Sequence, residues 1–231
     1  MTTLIDLGLS TALILIDNQA GFTNPATISH WGTSRSNPLY EANLQALLSA
    51  FRTARSSSST PLEVIHVFHS SDSPSSPFHS SHPSGGIKPL EFSKPAADGS
   101  EPVFWKNVNS SFIGTGLESY LRRKEIRQII IAGLTTDHCV STTVRMAANL
   151  GVVDRFLDDE PLRFRADGTR ENEVRVEKGR IILVDDATAT FGKAGIDPET
   201  IHKVSIASLD GEFADVLGTK EVVEALGTIH N

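Results

Sequence analysis

The segment from residue 129 to residue 144 constrains the fold more than any other part of this sequence. It begins with the apolar run Ile-Ile-Ile-Ala-Gly-Leu, which is typical of a strand buried on both faces of a parallel sheet. Small and polar residues follow around Cys139, and a helical pattern then runs through Val140, Val144 and Ala147. The segment therefore predicts a strand, a tight turn and a helix, which is the repeating unit of α/β folds.

Cys139 is the only cysteine of the chain, and it falls at the predicted start of that helix. The positive end of a helix dipole lowers the pKa of a thiol, so we expect a reactive thiolate here. Exposed backbone N–H groups at the same turn could hold an oxyanion. A lone cysteine is also commonly a buried apolar residue. Its place at the carboxyl edge of a sheet, where open α/β folds bind ligands, favours the nucleophile.

Strand-like runs and helical patterns alternate along the rest of the chain. Further strands are predicted at 11–17, 62–69, 102–106, 180–185 and 213–217, and further helices at 37–55, 117–124, 197–209 and 220–226. This alternation predicts a parallel sheet covered by helices on both faces. We find no boundary that would divide residues 1–231, and we expect one domain.

Two segments lack the alternation. Residues 70–101 are rich in Ser, Pro and Gly, and long loops of this kind are commonly lids or binding loops. Residues 162–165 and 174–177 alternate in polarity around Asp167–Gly168, which predicts an exposed hairpin or arm at about 154–178. The arm could contribute to subunit contacts or be a plain surface insertion.

The charge and the terminus limit the class of partner. A formal net charge of −7 argues against nucleic acid and anionic membranes. The first residues have no secretory pattern, and no apolar run approaches the length of a bilayer span. A single cysteine fits a reducing compartment. We therefore expect a cytoplasmic protein that handles a small molecule.

Two more reactive residues end predicted strands: Asp17 the first, and Lys106 the strand at 102–106. Because parallel strands share one carboxyl edge, both side chains could meet Cys139 there. Asp17 could then accept the thiol proton, Lys106 could stabilise both partners, and Cys139 could attack a carbonyl carbon. An acid at this position could equally cap the following turn.

The motifs LIDNQ at 15–19, WK at 105–106 and GLTTDHCVSTT at 133–143 resemble the isochorismatase-like cysteine hydrolases. SFxGT at 111–115, DATATF at 186–191 and His202 extend the resemblance over nearly the whole chain. The resemblance implies a three-layer αβα fold with a six-stranded, mostly parallel sheet, and a triad of Asp17, Lys106 and Cys139. It also implies a homo-oligomer, either a dimer or a tetramer.

The resemblance further implies a cis peptide bond between Leu134 and Thr135. That bond would turn the Thr135 N–H toward an oxyanion hole shared with the N–H of Cys139. The superfamily contains nicotinamidases, N-carbamoylsarcosine amidases, ureidoacrylate and maleamate amidohydrolases, and isochorismatases. Because Cys139 is present, we expect cleavage of a C–N bond in a small amide or carbamoyl compound through a thioester. The alternatives are hydrolysis of the vinyl ether of isochorismate, and a non-catalytic binding protein.

Nicotinamidases carry an Asp-x-His motif after the second strand that helps to bind a metal, and this chain has none. The region instead holds scattered candidates, namely His66, His69, Asp72, His79 and His82. Their spacing fits no known zinc pattern, so we expect no metal and no other cofactor. The residues predicted to contact the substrate are polar and aromatic: Gln19, Phe22, Trp31, His69, Trp105, Phe112 and Thr136.

Overall fold

The computed structural model describes residues 5–32 and 34–230. In chain order the strands are β1 Thr11–Ile16, β2 Leu62–His69, β3 Val103–Lys106, β4 Gln128–Leu134, β5 Arg155–Phe156, β6 Val176–Glu177, β7 Arg180–Ala189 and β8 Asp215–Leu217. The α-helices are α1 Tyr40–Arg55, α2 Leu117–Arg123, α3 Ser141–Leu150, α4 Pro198–Ala207 and α5 Thr219–Gly227. Six strands form one parallel sheet in the order β3-β2-β1-β4-β7-β8.

Two apolar clusters, one on each face of the sheet, make the core. Alternate side chains of β1 divide between them: Leu13 and Leu15 pack with α1 and α5, whereas Ile14 and Ile16 pack with α2 and α3. All six residues of β1 are buried because both of its faces are covered. The structure therefore confirms the predicted three-layer α/β fold. Among the described helices, none is both long enough and apolar enough to cross a bilayer.

The first helix begins later in the structure than the sequence predicted. The sequence predicted a cap at Asn37, but α1 begins at Tyr40 and Leu39 precedes it as an exposed residue. Asn37 has a φ of 49°, and its side-chain amide donates to the carbonyls of Asp185, at 2.9 Å, and Thr188, at 2.5 Å. The amide therefore ties the chain before α1 to β7 and does not cap the helix.

The arm at 154–178 pairs with itself in antiparallel fashion. Its paired strands are β5 and β6, and an isolated antiparallel bridge joins Phe164 to Arg170 nearer the turn. The side chain of Asn172 accepts from the Arg163 N–H at 2.7 Å and donates to the Pro161 carbonyl at 3.0 Å. The backbone pairs here as well: the Arg165 N–H donates to the Thr169 carbonyl and the Glu171 N–H to the Arg163 carbonyl, each at 2.9 Å. Phe164, near the turn, is exposed.

Glu101 anchors the end of the long loop that precedes β3. Its buried carboxylate accepts two hydrogen bonds from Arg52 of α1, each 2.7 Å, and lies 2.9 Å from His66 Nε2 of β2. Although burial raises the pKa of Glu101, the hydrogen bonds from Arg52 and His66 outweigh it and lower that pKa to about 2. The ionised carboxylate therefore stabilises the folded state.

Replacing Glu101 with glutamine is expected to lower the free energy of unfolding at pH 7 by about 3 kcal/mol. A carboxyl with a depressed pKa stabilises the fold above its unfolded pKa, and this stabilisation is lost as pH falls from about 5 to about 2. Urea unfolding at pH 7 and pH 3.5 measures both effects, and the variant should show the smaller difference between the two conditions.

Glu91→Gln is the matched control for this experiment. Glu91 lies in the same loop and pairs with Lys94, but its side chain is 87% exposed, so its loss should change stability by less than about 0.5 kcal/mol. Equal effects of the two substitutions would contradict the anchoring role of Glu101.

Candidate active site

The structure brings Asp17, Lys106 and Cys139 together at the carboxyl edge of the sheet. Asp17 directly follows β1, Lys106 ends β3, and Cys139 lies in a π-helical turn, Thr136–Val140, between β4 and α3. Lys106 Nζ lies 2.7 Å from Asp17 Oδ2 and 3.2 Å from Cys139 Sγ. All three residues are buried. One ammonium thus links an acid and a thiol that are 122 residues apart in sequence.

Close contact between the two central strands makes this convergence possible. Ile16 of β1 lies beside Gly133 of β4, which has a φ of 130°. A β-carbon at residue 133 would lie 2.1 Å from the Ile16 carbonyl oxygen, so only glycine fits here. The glycine therefore lets the Asp17 turn and the Cys139 turn leave the sheet side by side.

The electrostatics of Cys139 differ from the prediction. Burial raises the pKa of this thiol well above its ordinary value, and the nearby Asp17 carboxylate raises it further. The Lys106 ammonium opposes both effects only in part. The expected low thiol pKa was therefore wrong, because a charge at the turn is outweighed by burial beside an acid. Cys139 rests as a neutral thiol at neutral pH.

Asp17 keeps one oxygen free for chemistry. Lys106 occupies Oδ2, whereas Oδ1 is buried and has no hydrogen-bond partner within the described part of the chain. Asp17 also has a φ of 51°, a strained backbone conformation for a residue with a β-carbon. A fixed carboxylate with an unused lone pair beside a thiol is suited to accept a proton.

The side chain of His69 contacts this group. Its Nδ1 lies 3.4 Å from Lys106 Nζ. Ligand-type atoms of Asp17, His69 and Cys139 lie within 4.8 Å of one another, a spacing that could hold a metal ion. However, the Lys106 ammonium contacts all three, so a cation already lies among them. The other histidines of the region have different partners: His66 contacts Glu101, His79 contacts Ser81, and His82 contacts Ser84.

Two predicted aromatic residues form a cluster with one that the sequence did not single out. The rings of Phe22 and Trp31 are 4.7 Å apart, and Phe78 of the long loop lies 4.8 Å from Phe22 and 5.7 Å from His69. Phe78 therefore links the aromatic cluster to His69, which in turn contacts Lys106. No local pattern marks a functional aromatic in a Ser/Pro-rich loop, so the sequence could not have identified it. Phe112 packs in the same apolar cluster as Cys139.

Two residues predicted to contact the substrate, Gln19 and Trp105, have well-defined protein partners in the structure. The Gln19 amide donates to the carbonyls of His69 and Ile87 at 2.9 and 2.8 Å, and its oxygen accepts from the His69 N–H at 2.8 Å. Gln19 is fully buried, and its amide ties the long loop to β2. Its contact with a substrate stays a prediction. Trp105 lies on the opposite face of β3 from Lys106, is 46% exposed and packs on Phe68.

The turn that contains Cys139 is fixed by a contact with α4. The Leu134–Thr135 peptide bond is cis, and Thr136 Oγ1 lies 2.9 Å from His202 Nδ1 of α4. Thr136 is fully buried in this contact. Asn109, which the sequence did not single out, places its side-chain oxygen 3.7 Å from Cys139 Sγ. It follows Lys106 by three residues, and only the folded loop brings it to the sulfur.

Comparison with known proteins identifies the family of this chain. Residues 11–221 match the Isochorismatase domain. The uncharacterized isochorismatase family protein YrdC of Bacillus subtilis is 36% identical over 217 residues, which cover 92% of this chain and 94% of the relative. Ureidoacrylate amidohydrolase RutB of Rhizobium rhizogenes is 32% identical over 92 residues, 38% of this chain and 37% of the relative. A crystal structure of an isochorismatase-family hydrolase from Chromobacterium violaceum superposes with a TM-score of 0.72 at 31% identity, covering 95% of this chain and 94% of that one. The chain therefore belongs to the isochorismatase family of hydrolases.

Proposed function

We propose that this protein is a cysteine amidohydrolase that cleaves a C–N bond of a small amide or carbamoyl compound. The observation that carries the proposal is the position of Lys106 Nζ, which hydrogen-bonds to Asp17 and to Cys139 in a buried site. A buried thiol, an acid with a free oxygen and an ammonium between them are the groups that thioester chemistry requires.

The first half of the reaction forms a thioester. Because the thiol of Cys139 is neutral at rest, its proton must leave as the sulfur attacks. Asp17 Oδ1 accepts that proton while sulfur bonds to the substrate carbonyl carbon. The C=O electron pair moves to oxygen and gives a tetrahedral oxyanion. Asp17 then returns the proton to the leaving nitrogen, the C–N bond breaks, and ammonia or an amine departs.

The second half releases the acid. Asp17 takes a proton from water as the water oxygen attacks the thioester carbon. The C–S bond then breaks, and the proton on Asp17 restores the thiol of Cys139. Lys106 keeps its ammonium beside both groups throughout, so it offsets the negative charge as that charge moves between carboxylate and sulfur.

The developing oxyanion needs donors, and we assign the backbone N–H groups of Thr135 and Cys139. Both residues belong to the turn that follows β4, and both are buried. Backbone donors in a water-poor site stabilise such charge strongly, because they are fixed before the reaction begins. Phe112 and the cluster of Phe22 and Trp31 are proposed as the apolar wall near the substrate.

The relation to ureidoacrylate amidohydrolase supports C–N cleavage, since that enzyme's name describes the same type of bond. The family's own name supports the other candidate, in which Asp17 protonates the vinyl ether of isochorismate and pyruvate leaves. The vinyl ether reaction requires an acid, but the buried thiol has no role in it. The cluster of Cys139, Lys106 and Asp17 therefore favours the amidohydrolase.

A paired assay for ammonia and pyruvate tests the proposal. The panel holds nicotinamide, carbamoyl compounds, monoamides of small dicarboxylic acids, and isochorismate. We expect ammonia from one of the amides, and acid quenching followed by peptide mass spectrometry should find the acyl group on Cys139. Pyruvate release that survives Cys139→Ala would establish the vinyl ether reaction. Lack of turnover on the whole panel, with Cys139 reacting like an ordinary thiol, would favour a binding protein.

The cytoplasmic location and the homo-oligomer remain predictions. Light scattering of the purified protein measures the number of copies, and we expect a dimer or a tetramer. Deletion of the exposed part of the arm between β5 and β6 would show whether that segment holds the copies together.

A further inference from the structure

Lys106 has three N–H donors, and the structure gives each of them an acceptor. Asp17 Oδ2 lies at 2.7 Å, Cys139 Sγ at 3.2 Å and His69 Nδ1 at 3.4 Å. A lysine ammonium can only donate, so Nδ1 of His69 must be unprotonated for the third bond to exist. The geometry therefore requires a neutral imidazole with its proton on Nε2.

The surroundings of His69 favour that neutral form. Burial lowers the pKa of His69, and the positive charge of Lys106 on β3 lowers it further. The acids that face it, Asp17 after β1 and Asp72 in the long loop, oppose this only in part. Cys139, the remaining titratable group nearby, is a neutral thiol.

The backbone of His69 is fixed as well. Its N–H donates to Gln19 at 2.8 Å, its carbonyl accepts from Gln19 at 2.9 Å, and it lies in register with Lys106 across the β2–β3 pair. The backbone from which the imidazole reaches Lys106 is therefore held in place, and the ring of Phe78 lies 5.7 Å from the imidazole.

We propose that neutral His69 is a positioning residue that holds the Lys106 ammonium between Asp17 and Cys139. Protonation of His69 removes the third acceptor and places a second positive charge 3.4 Å from the ammonium, so hydrolysis stops at acidic pH. This inference rests on the proposed function, because it assigns His69 a part in the same triad.

Two substitutions separate the effect of losing the hydrogen-bond acceptor from the effect of protonating His69. His69→Leu removes the acceptor and is expected to lower kcat about 10- to 100-fold, the range for loss of a hydrogen bond to a charged group. His69→Asn keeps an acceptor that does not titrate, so it should lose much less, about threefold. The measurement is kcat and KM from pH 4.5 to 9 on the panel amide that the wild type hydrolyses fastest. We expect the acid limb of kcat to move to lower pH in His69→Asn, with KM nearly constant.

His79→Asn is the matched control, because this histidine lies in the loop after β2 and contacts Ser81. It should leave both the activity and the acid limb as they are in the wild type. An unchanged acid limb in His69→Asn, or equal losses in the leucine and asparagine variants, would overturn the proposal.

A second readout needs no substrate. In the wild-type protein labelled with ¹⁵N-histidine, the NMR signals of His69, assigned by their loss in His69→Asn, should show the proton on Nε2 at pH 7. A proton on Nδ1, or a charged ring at pH 7, would overturn the inference. Failure of every amide in the panel would instead overturn the proposed function, and the spectra would still decide the state of His69.

Discussion

Replacing Cys139 with alanine is expected to lower amide hydrolysis by at least about 10,000-fold in kcat, because a triad acts as one unit. The alanine variant retains Asp17 and Lys106 and removes only the sulfur that we propose bonds to the substrate carbon. The measurement is ammonia release under saturating substrate, with far-ultraviolet circular dichroism and urea unfolding to establish that the variant is folded. Cys139 is only 8% exposed, yet alanine leaves a space of one sulfur atom, so the stability change should be small.

Cys139→Ser is the companion variant. It keeps the size and a hydrogen-bonding atom but replaces the thiol with a much weaker acid, so it should also be nearly inactive. Ammonia release at more than a tenth of the wild-type rate in either variant would contradict a thioester mechanism. Full activity on isochorismate in the alanine variant would show that Asp17 does the chemistry without the thiol.

The sheet was predictable because its strands are buried on both faces. Runs such as Ile129–Ile131 leave little choice of structure, and the alternation of strands and helices fixes parallel pairing. Element boundaries were less predictable. Asn37 and Pro38 carry a good local signal for a helix start, but the Asn37 amide bonds to two carbonyls of β7, more than 140 residues away in sequence.

The convergence of Asp17, Lys106 and Cys139 also followed from the sequence, because parallel strands share a carboxyl edge. The sequence did not show which neighbouring residues complete the site. Gln19 looked free to bind a substrate, and only the fold reveals that His69 and Ile87 occupy its amide. The thiol pKa was mispredicted for the same reason, since a sequence gives the position of a helix end but not the burial around it.

Replacing Asp17 with asparagine should lower the activity while making the thiol of Cys139 more acidic. Hydrolysis is expected to fall by about 10,000-fold, because the variant loses the group that we propose accepts and returns the proton. The pKa of Cys139 should fall at the same time, because the Asp17 carboxylate helps to raise it. An inactive enzyme with a more acidic cysteine is an unusual combination, and a merely structural role for Asp17 would not produce it.

Alkylation of Cys139 by iodoacetamide from pH 6 to 10.5 measures the thiol, and the protein has no other cysteine to interfere. In the wild type we expect slow alkylation at pH 7 and a midpoint above about 8.5, the value for a free cysteine.

Asp17→Asn should shift the midpoint to lower pH, whereas Lys106→Met should shift it higher, because the ammonium lowers the thiol pKa. The direction in which each substitution shifts the midpoint of alkylation is the decisive result. Identical profiles in the wild type and Asp17→Asn would show that the carboxylate does not act on the sulfur, and proton transfer to Asp17 would have to be abandoned.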